Sequence, residues 1–236
     1  MEIKLHDTLS GEKKVFKPIS EGKVSMYNCG PTVYDYAHIG NFRTFILGDI
    51  LRRVFEYNDY KVNQVMNITD VDDKTIRKSQ EENVSLDEVT RKYEKLFFED
   101  LKSLNILAPN KTPRATENIS DMIKMIEELL EKGVAYKSSD GVYFDITKSE
   151  EYGKLAHLNL ENATKERISN DEYDKTNPRD FSLWKFHTDE DGDVSYDASF
   201  GKGRPGCHIG CSAISISALG EQIAIHTEIV RAPGRG

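Results

Sequence analysis

The chain has 236 residues, with 32 Lys and Arg against 40 Asp and Glu, a net charge of −8 and 38% hydrophobic residues. That is apolar material for one large or two small cores, no stretch approaches the roughly 20 apolar residues of a membrane-spanning helix, and an acidic chain is not built to coat nucleic acid without specificity. Three cysteines, Cys29, Cys207 and Cys211, are too few for a disulfide framework and read as free thiols or metal ligands in a reducing compartment.

The first residues, Met1 to Lys14, carry charges where a secretory signal has its apolar core, so a cytoplasmic location is expected. Val24 to Cys29 is a short, mostly apolar run ended by Gly30-Pro31, which predicts a strand entering a tight turn. Phe42, Phe45, Ile46, Ile50, Val54 and Phe55 then recur at helical spacing, and Val62 to Ile68 predicts a second strand. This order predicts a parallel βαβ crossover within residues 20–80, with His38 at the start of its helix. Asp72 and Asp73 read as a solvated helix start. Ser85-Leu86-Asp87-Glu88 has the form of a capping box ahead of an apolar face of Leu86, Val89, Tyr93, Leu96, Leu101 and Leu104.

Asn118 with Asp121 opens a further helix through Met122, Ile126 and Leu130, which Gly133 stops. Val134 to Tyr136 and Val142 to Phe144 flank Ser138-Ser139-Asp140-Gly141, a hairpin signal. Residues 147–200 are polar with little periodicity, except for Phe181 to Phe186, where Trp184 with Phe181 and Phe186 predicts core. A glycine-rich stretch at 201–206 precedes the last apolar run, Ile223 to Ile225. The expected organisation is a nucleotide-binding domain whose first half is residues 1–114, an α+β insertion at 115–195, and a return to the first domain at 196–236.

Ala37-His38-Ile39-Gly40-Asn41 falls where the first turn opens the first helix. Unpaired N–H groups and the dipole there suit a phosphate, Gly40 admits a flat base close to the backbone, and His38 can donate to developing charge. From the residues alone, a polar cap with tight packing accounts for them better. Thr69 and Asp70 end the second strand, where open parallel sheets bind ligands, although a strand-end turn also uses such residues.

Longer blocks carry a family resemblance. The run from Met26 to Asn41 resembles cysteinyl-tRNA synthetases, whose HIGH box follows a C-G-x-T-V-Y-D segment. Asn67 to Lys74 is similar to the family's N-[IV]-T-D-[IV]-D-D-K, Pro113 to Thr116 to its P-R-A-T, Asp180 to Lys185 to its D-F-x-L-W-K, and Gly203 to Ala213 to its G-R-P-G-W-H-I-E-C-S-A. Five blocks in the family's order span residues from about 20 to 226.

The resemblance implies an α/β fold: a Rossmann-type, class I synthetase parallel-sheet domain with an α+β insertion. It implies a ligase that activates cysteine with ATP and magnesium to cysteinyl-adenylate and transfers it to the 3′ end of tRNA(Cys). His38 and Asn41 would act in catalysis, and Gly30, His38, Gly40 and Asn41 would hold the nucleotide. Thr32, Thr69 and His226 would line the substrate pocket, and Cys29 and Cys211 would ligate zinc. A thiophilic metal suits a site that must tell cysteine from serine, because zinc takes a thiolate far better than an alcohol. In this chain Cys207 stands at the Trp of the family pattern and Gly210 at a Glu. The family's two further zinc ligands and its K-M-S-K-S loop lie past the last residue here. The chain is therefore expected to be truncated, inactive alone and prone to associate through its cut edge, whereas the intact family member is expected to be a monomer. Two further readings are a non-catalytic gene fragment and a cysteine ligase acting on an amino sugar–inositol acceptor.

Overall fold

Residues 2–149, 151–155 and 180–228 are described by a computed structural model. It opens on an antiparallel hairpin, β1 (Lys4–Asp7) with β2 (Glu12–Val15), which the hydrophobic pattern does not announce because β2 has no buried face. The chain then forms β3 (Lys23–Asn28), α1 (Ile39–Tyr57) and β4 (Lys61–Met66). β3 and β4 run parallel in unbroken register from Lys23 opposite Lys61 to Asn28 opposite Met66. The last described strand, β9 (Ile225–Thr227), pairs parallel on the other side of β3 and gives the order β4-β3-β9.

The period-two alternation of a strand sends neighbours to opposite faces, and both faces of this sheet are apolar. Val24, Met26 and Val62 meet Phe55 of α1, while Tyr27 and Val65 join a core with Ile209, Ala213 and Ile214 from the far side. Along α1 the structure departs from the expected apolar face. Phe42, Phe45 and Phe55 are buried, but Ile50 and Val54 stay 52% and 39% exposed, with Leu47 also exposed. These three occur at helical spacing on a side of α1 that no described element covers.

α2 (Asp73–Glu82) and α3 (Leu86–Ser103) follow β4. Only half of the anticipated capping box forms: Ser85 Oγ accepts from the Glu88 amide at 3.2 Å. Val89, Tyr93, Phe97 and Leu101 are the buried apolar residues of α3, whereas Leu104 lies just past its end and is exposed. Before α4 (Ile119–Glu131), Asn118 makes no side-chain cap and instead donates back to the Arg114 carbonyl at 2.7 Å.

Beyond α4 a separate, antiparallel sheet forms: β5 (Ala135–Lys137), β6 (Gly141–Phe144), β7 (Phe181–Phe186) and β8 (Gly203–Pro205) lie side by side in that order. Trp184 is fully buried in this layer, edge-on to Phe200. α5 (Cys207–Leu219) then returns the chain to the parallel sheet. Among the described residues no helix is long and apolar enough to cross a membrane.

The start of α2 is not simply solvated. Asp72 caps it, accepting from the Lys74 amide at 3.0 Å. Asp73 pairs with Lys185 of β7 at 2.7 Å and with Arg204 of β8, which also holds Asp191 at 2.6 Å. Burial works to raise the Asp73 carboxyl, but Lys185 and Arg204 together outweigh it and hold it below the ordinary carboxylate value. A carboxyl depressed by folding contributes stability above its unfolded pKa of about 3.9 and loses it as pH falls through the lower folded value. Asp73→Asn should therefore be less stable than wild type at pH 7, with the gap closing in the acid range. Urea melts of both proteins at several pH values test this, and a gap that persists unchanged to pH 2 would refute it.

Candidate functional site

The C-terminal ends of parallel strands are where an open α/β sheet leaves a crevice for ligands, and the sequence-predicted residues gather there. Past β3 the chain continues beside β4: the Thr69 amide donates to the Pro31 carbonyl at 3.0 Å and the Val33 amide to the Thr69 carbonyl at 3.1 Å. Thr32 and Thr69 thus lie side by side, both half-buried. His226 on β9 is directly opposite Tyr27 and sits edge-on to its ring at 5.2 Å.

His38 is the N-cap of α1. Its Nδ1 accepts from the Gly40 amide at 3.1 Å, and its own amide donates to Asn41 Oδ1 at 3.1 Å. An Nδ1 that accepts leaves the imidazole proton on Nε2, so the exposed edge of the ring is a donor. The Asn41 carbonyl is occupied by the cap, which leaves its Nδ2 as the donor toward a ligand. A Cβ at Gly40 would come within 2.8 Å of the His38 ring, so a larger residue there would disturb the cap.

Cys29 and Cys211 are 182 positions apart, yet their Sγ atoms lie 3.6 Å from one another. β3 delivers Cys29, whose amide is fixed by the Thr227 carbonyl at 3.0 Å, and the second turn of α5 delivers Cys211. The hydrogen bond between the two sulfurs favours the thiolate at Cys211 and pushes the Cys29 thiol up, with burial adding to the latter. Cys207 stands one helical turn before Cys211 and is exposed. Among the described residues no third His, Cys, Asp or Glu completes a metal cluster with this pair.

Asn67 is the residue that sequence reasoning missed. It is buried at the end of β4, and its Oδ1 accepts from Tyr27 Oη at 3.0 Å and from the Gly30 amide at 2.9 Å, with Cys211 Sγ at 4.0 Å. Its Nδ2 donates to Thr69 Oγ1 at 3.1 Å. One amide thus positions the first turn, the second turn and the thiol pair. The available signal was a polar residue closing a buried apolar run. Asp70, expected to face substrate, does not: its carboxylate is buried and taken by Arg114 at 2.8 Å and by the Thr116 amide at 2.9 Å. A cavity of about 730 Å³ is lined by Lys23, Ser25, Lys61 and Asn63 at the opposite ends of the strands, away from all of these groups.

Comparison with known proteins places this geometry. The family model described as tRNA synthetases class I (C) catalytic domain matches residues 15–229. Cysteine–tRNA ligase of Brachyspira hyodysenteriae is 52% identical over 229 residues, covering 96% of this chain and 48% of that protein. Cysteine–tRNA ligase of Methanosarcina acetivorans is 47% identical over 228 residues, again 48% of its length. The chain thus spans about half the length of these relatives. Among solved structures, Mycobacterium tuberculosis methionyl-tRNA synthetase in complex with methionyl-adenylate superposes with a TM-score of 0.62 over 84% of this chain and 47% of that one, at 12% identity, a likeness of fold.

Proposed function

This chain belongs to the family of class I (C) tRNA synthetase catalytic domains, and we propose that it carries the ATP- and cysteine-binding part of a cysteine–tRNA ligase. The reaction would join ATP and cysteine to cysteinyl-adenylate with release of pyrophosphate, then transfer cysteine to the 3′ end of tRNA(Cys). The observation that carries the reading is the pair of thiols held 3.6 Å apart at the ligand end of the parallel sheet.

Two Zn–S bonds of about 2.3 Å at a tetrahedral angle set their sulfurs about 3.8 Å apart, so Cys29 and Cys211 fit two positions of a zinc sphere as they stand. When bound, zinc would take the thiolate of cysteine and discriminate against the hydroxyl of serine. The N-terminus of α1 would present its positive dipole end to the nucleotide phosphates, with His38 Nε2 and Asn41 Nδ2 as the donors and Gly40 keeping the approach open. Magnesium would accompany ATP. Thr32, Thr69 and His226 would line the amino-acid pocket between β3, β4 and β9. The proposed division remains residues 1–114 and 196–236 for the nucleotide-binding domain and 115–195 for the insertion; the location proposed is cytoplasmic, and the monomer is proposed for the intact family member.

Cobalt tests the site directly, because thiolate ligation gives Co(II) a charge-transfer absorption. The chain should show that band, cysteine should intensify it and serine should not. Cys29→Ser or Cys211→Ser should lower cobalt affinity by at least the 10–100-fold that loss of a supporting group costs. A band absent from wild type, or one that responds equally to cysteine and serine, would remove the basis for this reading.

A further inference from the structure

We propose that Cys29 and Cys211 are a redox modification site, a dithiol that closes to an intramolecular disulfide whenever no metal holds it. A disulfide needs its sulfurs about 2.05 Å apart, so from 3.6 Å each side chain has to travel less than about 1 Å. The two thiols sit on elements that pack on one another, with Tyr27 of β3 in one core with Ile209, Ala213 and Ile214 of α5, and that further neighbours hold in place. β3 is hydrogen-bonded on both sides by β4 and β9, and α5 packs against α4 and β7. The encounter that two free thiols would have to find by diffusion is therefore already built. Both residues are half-buried, whereas Cys207 is exposed, which makes it an internal control for unselective oxidation.

Hydrogen peroxide is a sufficient oxidant. One thiolate sulfur attacks a peroxide oxygen, the O–O bond breaks, and the departing hydroxide takes a proton to become water, leaving a sulfenic acid. The partner sulfur then attacks the sulfenic sulfur, and its proton leaves with the displaced hydroxide as a second water. Two thiols are oxidised by two electrons and one peroxide is reduced to two waters. The disulfide would consume both sulfurs assigned above to zinc, and that coupling alone rests on the proposed function.

The test uses the reduced chain, stripped with a chelator, treated with one equivalent of peroxide and then alkylated in denaturant. Titratable thiols should fall from three to one, the survivor should be Cys207, and peptide mapping should join the Cys29 and Cys211 peptides. The denatured product should migrate faster without reductant, because a loop of 182 positions is closed, and reductant should restore both thiol count and mobility. Cys207→Ser should still form the bridge. Intermolecular dimers through Cys207, or oxidation of Cys207 while Cys29 and Cys211 stay reduced, would overturn the proposal. A parallel sample supplied with zinc should keep all three thiols. A bridge that forms equally fast with zinc present would uphold the dithiol while sinking the zinc reading, so the two fail separately.

Discussion

Arg114→Met should cost about 3–5 kcal/mol of folding stability, the range found when one partner of a buried ion pair is removed. Arg114 is 3% exposed and the Asp70 side chain is fully buried. The guanidinium donates to Asp70 at 2.8 Å, to Thr90 Oγ1 at 2.8 Å and to Glu94. Methionine restores the bulk but none of the charge, so the buried Asp70 carboxylate loses its counterion and Glu94 keeps only Arg91, at 3.9 Å. Burial already raises the Glu94 carboxyl with Arg114 present, and losing the cation moves it further in that direction. A carboxyl raised by folding destabilises above its folded pKa, and the penalty is relieved as pH falls through that value. The deficit of Arg114→Met should therefore shrink on acidification, whereas a simple packing defect would not change with pH. Chemical denaturation at pH 7 and pH 5 measures both parts. A loss under 1 kcal/mol, or one indifferent to pH, would show that this network is not what ties β4 to α3 and to the turn before α4.

The contrast with what the sequence alone reveals follows from the range of each interaction. β3, α1 and β4 were legible because Val24, Met26, Val62 and Phe55 repeat at the periods of strand and helix. The reading of α1 went too far at Ile50 and Val54, since periodicity reports which residues are apolar and not whether a neighbouring element covers them. The hairpin of β1 and β2 was illegible because Lys4–Asp7 and Glu12–Val15 carry no apolar alternation and turn on backbone hydrogen bonds. Asp70 pointed the wrong way in the sequence reading because its partner Arg114 is 44 positions distant and lies in a turn. Cys29 and Cys211 were paired by a resemblance and not by spacing, as no local rule links residues 182 apart. The tail from residue 229 and residues 156–179 of the polar stretch lie outside the described residues.

Gly30→Ala should be the most damaging single methyl group in the candidate site. A Cβ at position 30 would fall 1.6 Å from the Asn67 carbonyl oxygen and 2.8 Å from its carbon. Those atoms are backbone at the end of β4, so no rotamer change can clear them, and overpacking against backbone belongs at or above the upper end of the usual 1–3 kcal/mol. Relief requires β3 and β4 to part where they are otherwise in register. Parting them stretches the 2.9 Å bond from the Gly30 amide to Asn67 Oδ1, disturbs the bridge of Thr32 to Thr69, and carries Cys29 away from Cys211. Gly133→Ala is the matched control: it sits at φ +68° after α4 with nothing within 4 Å of its added methyl, and should cost only about 1 kcal/mol of backbone strain. The expected result is a loss of about 3 kcal/mol for Gly30→Ala in urea melts, with cobalt absorption and peroxide-driven bridging both reduced at least tenfold. Gly133→Ala should retain both at the wild-type level. If Gly30→Ala lies within 0.5 kcal/mol of wild type (on the order of an ordinary surface change) and binds cobalt normally, the close approach of β3 to β4 is not what sets the thiol pair.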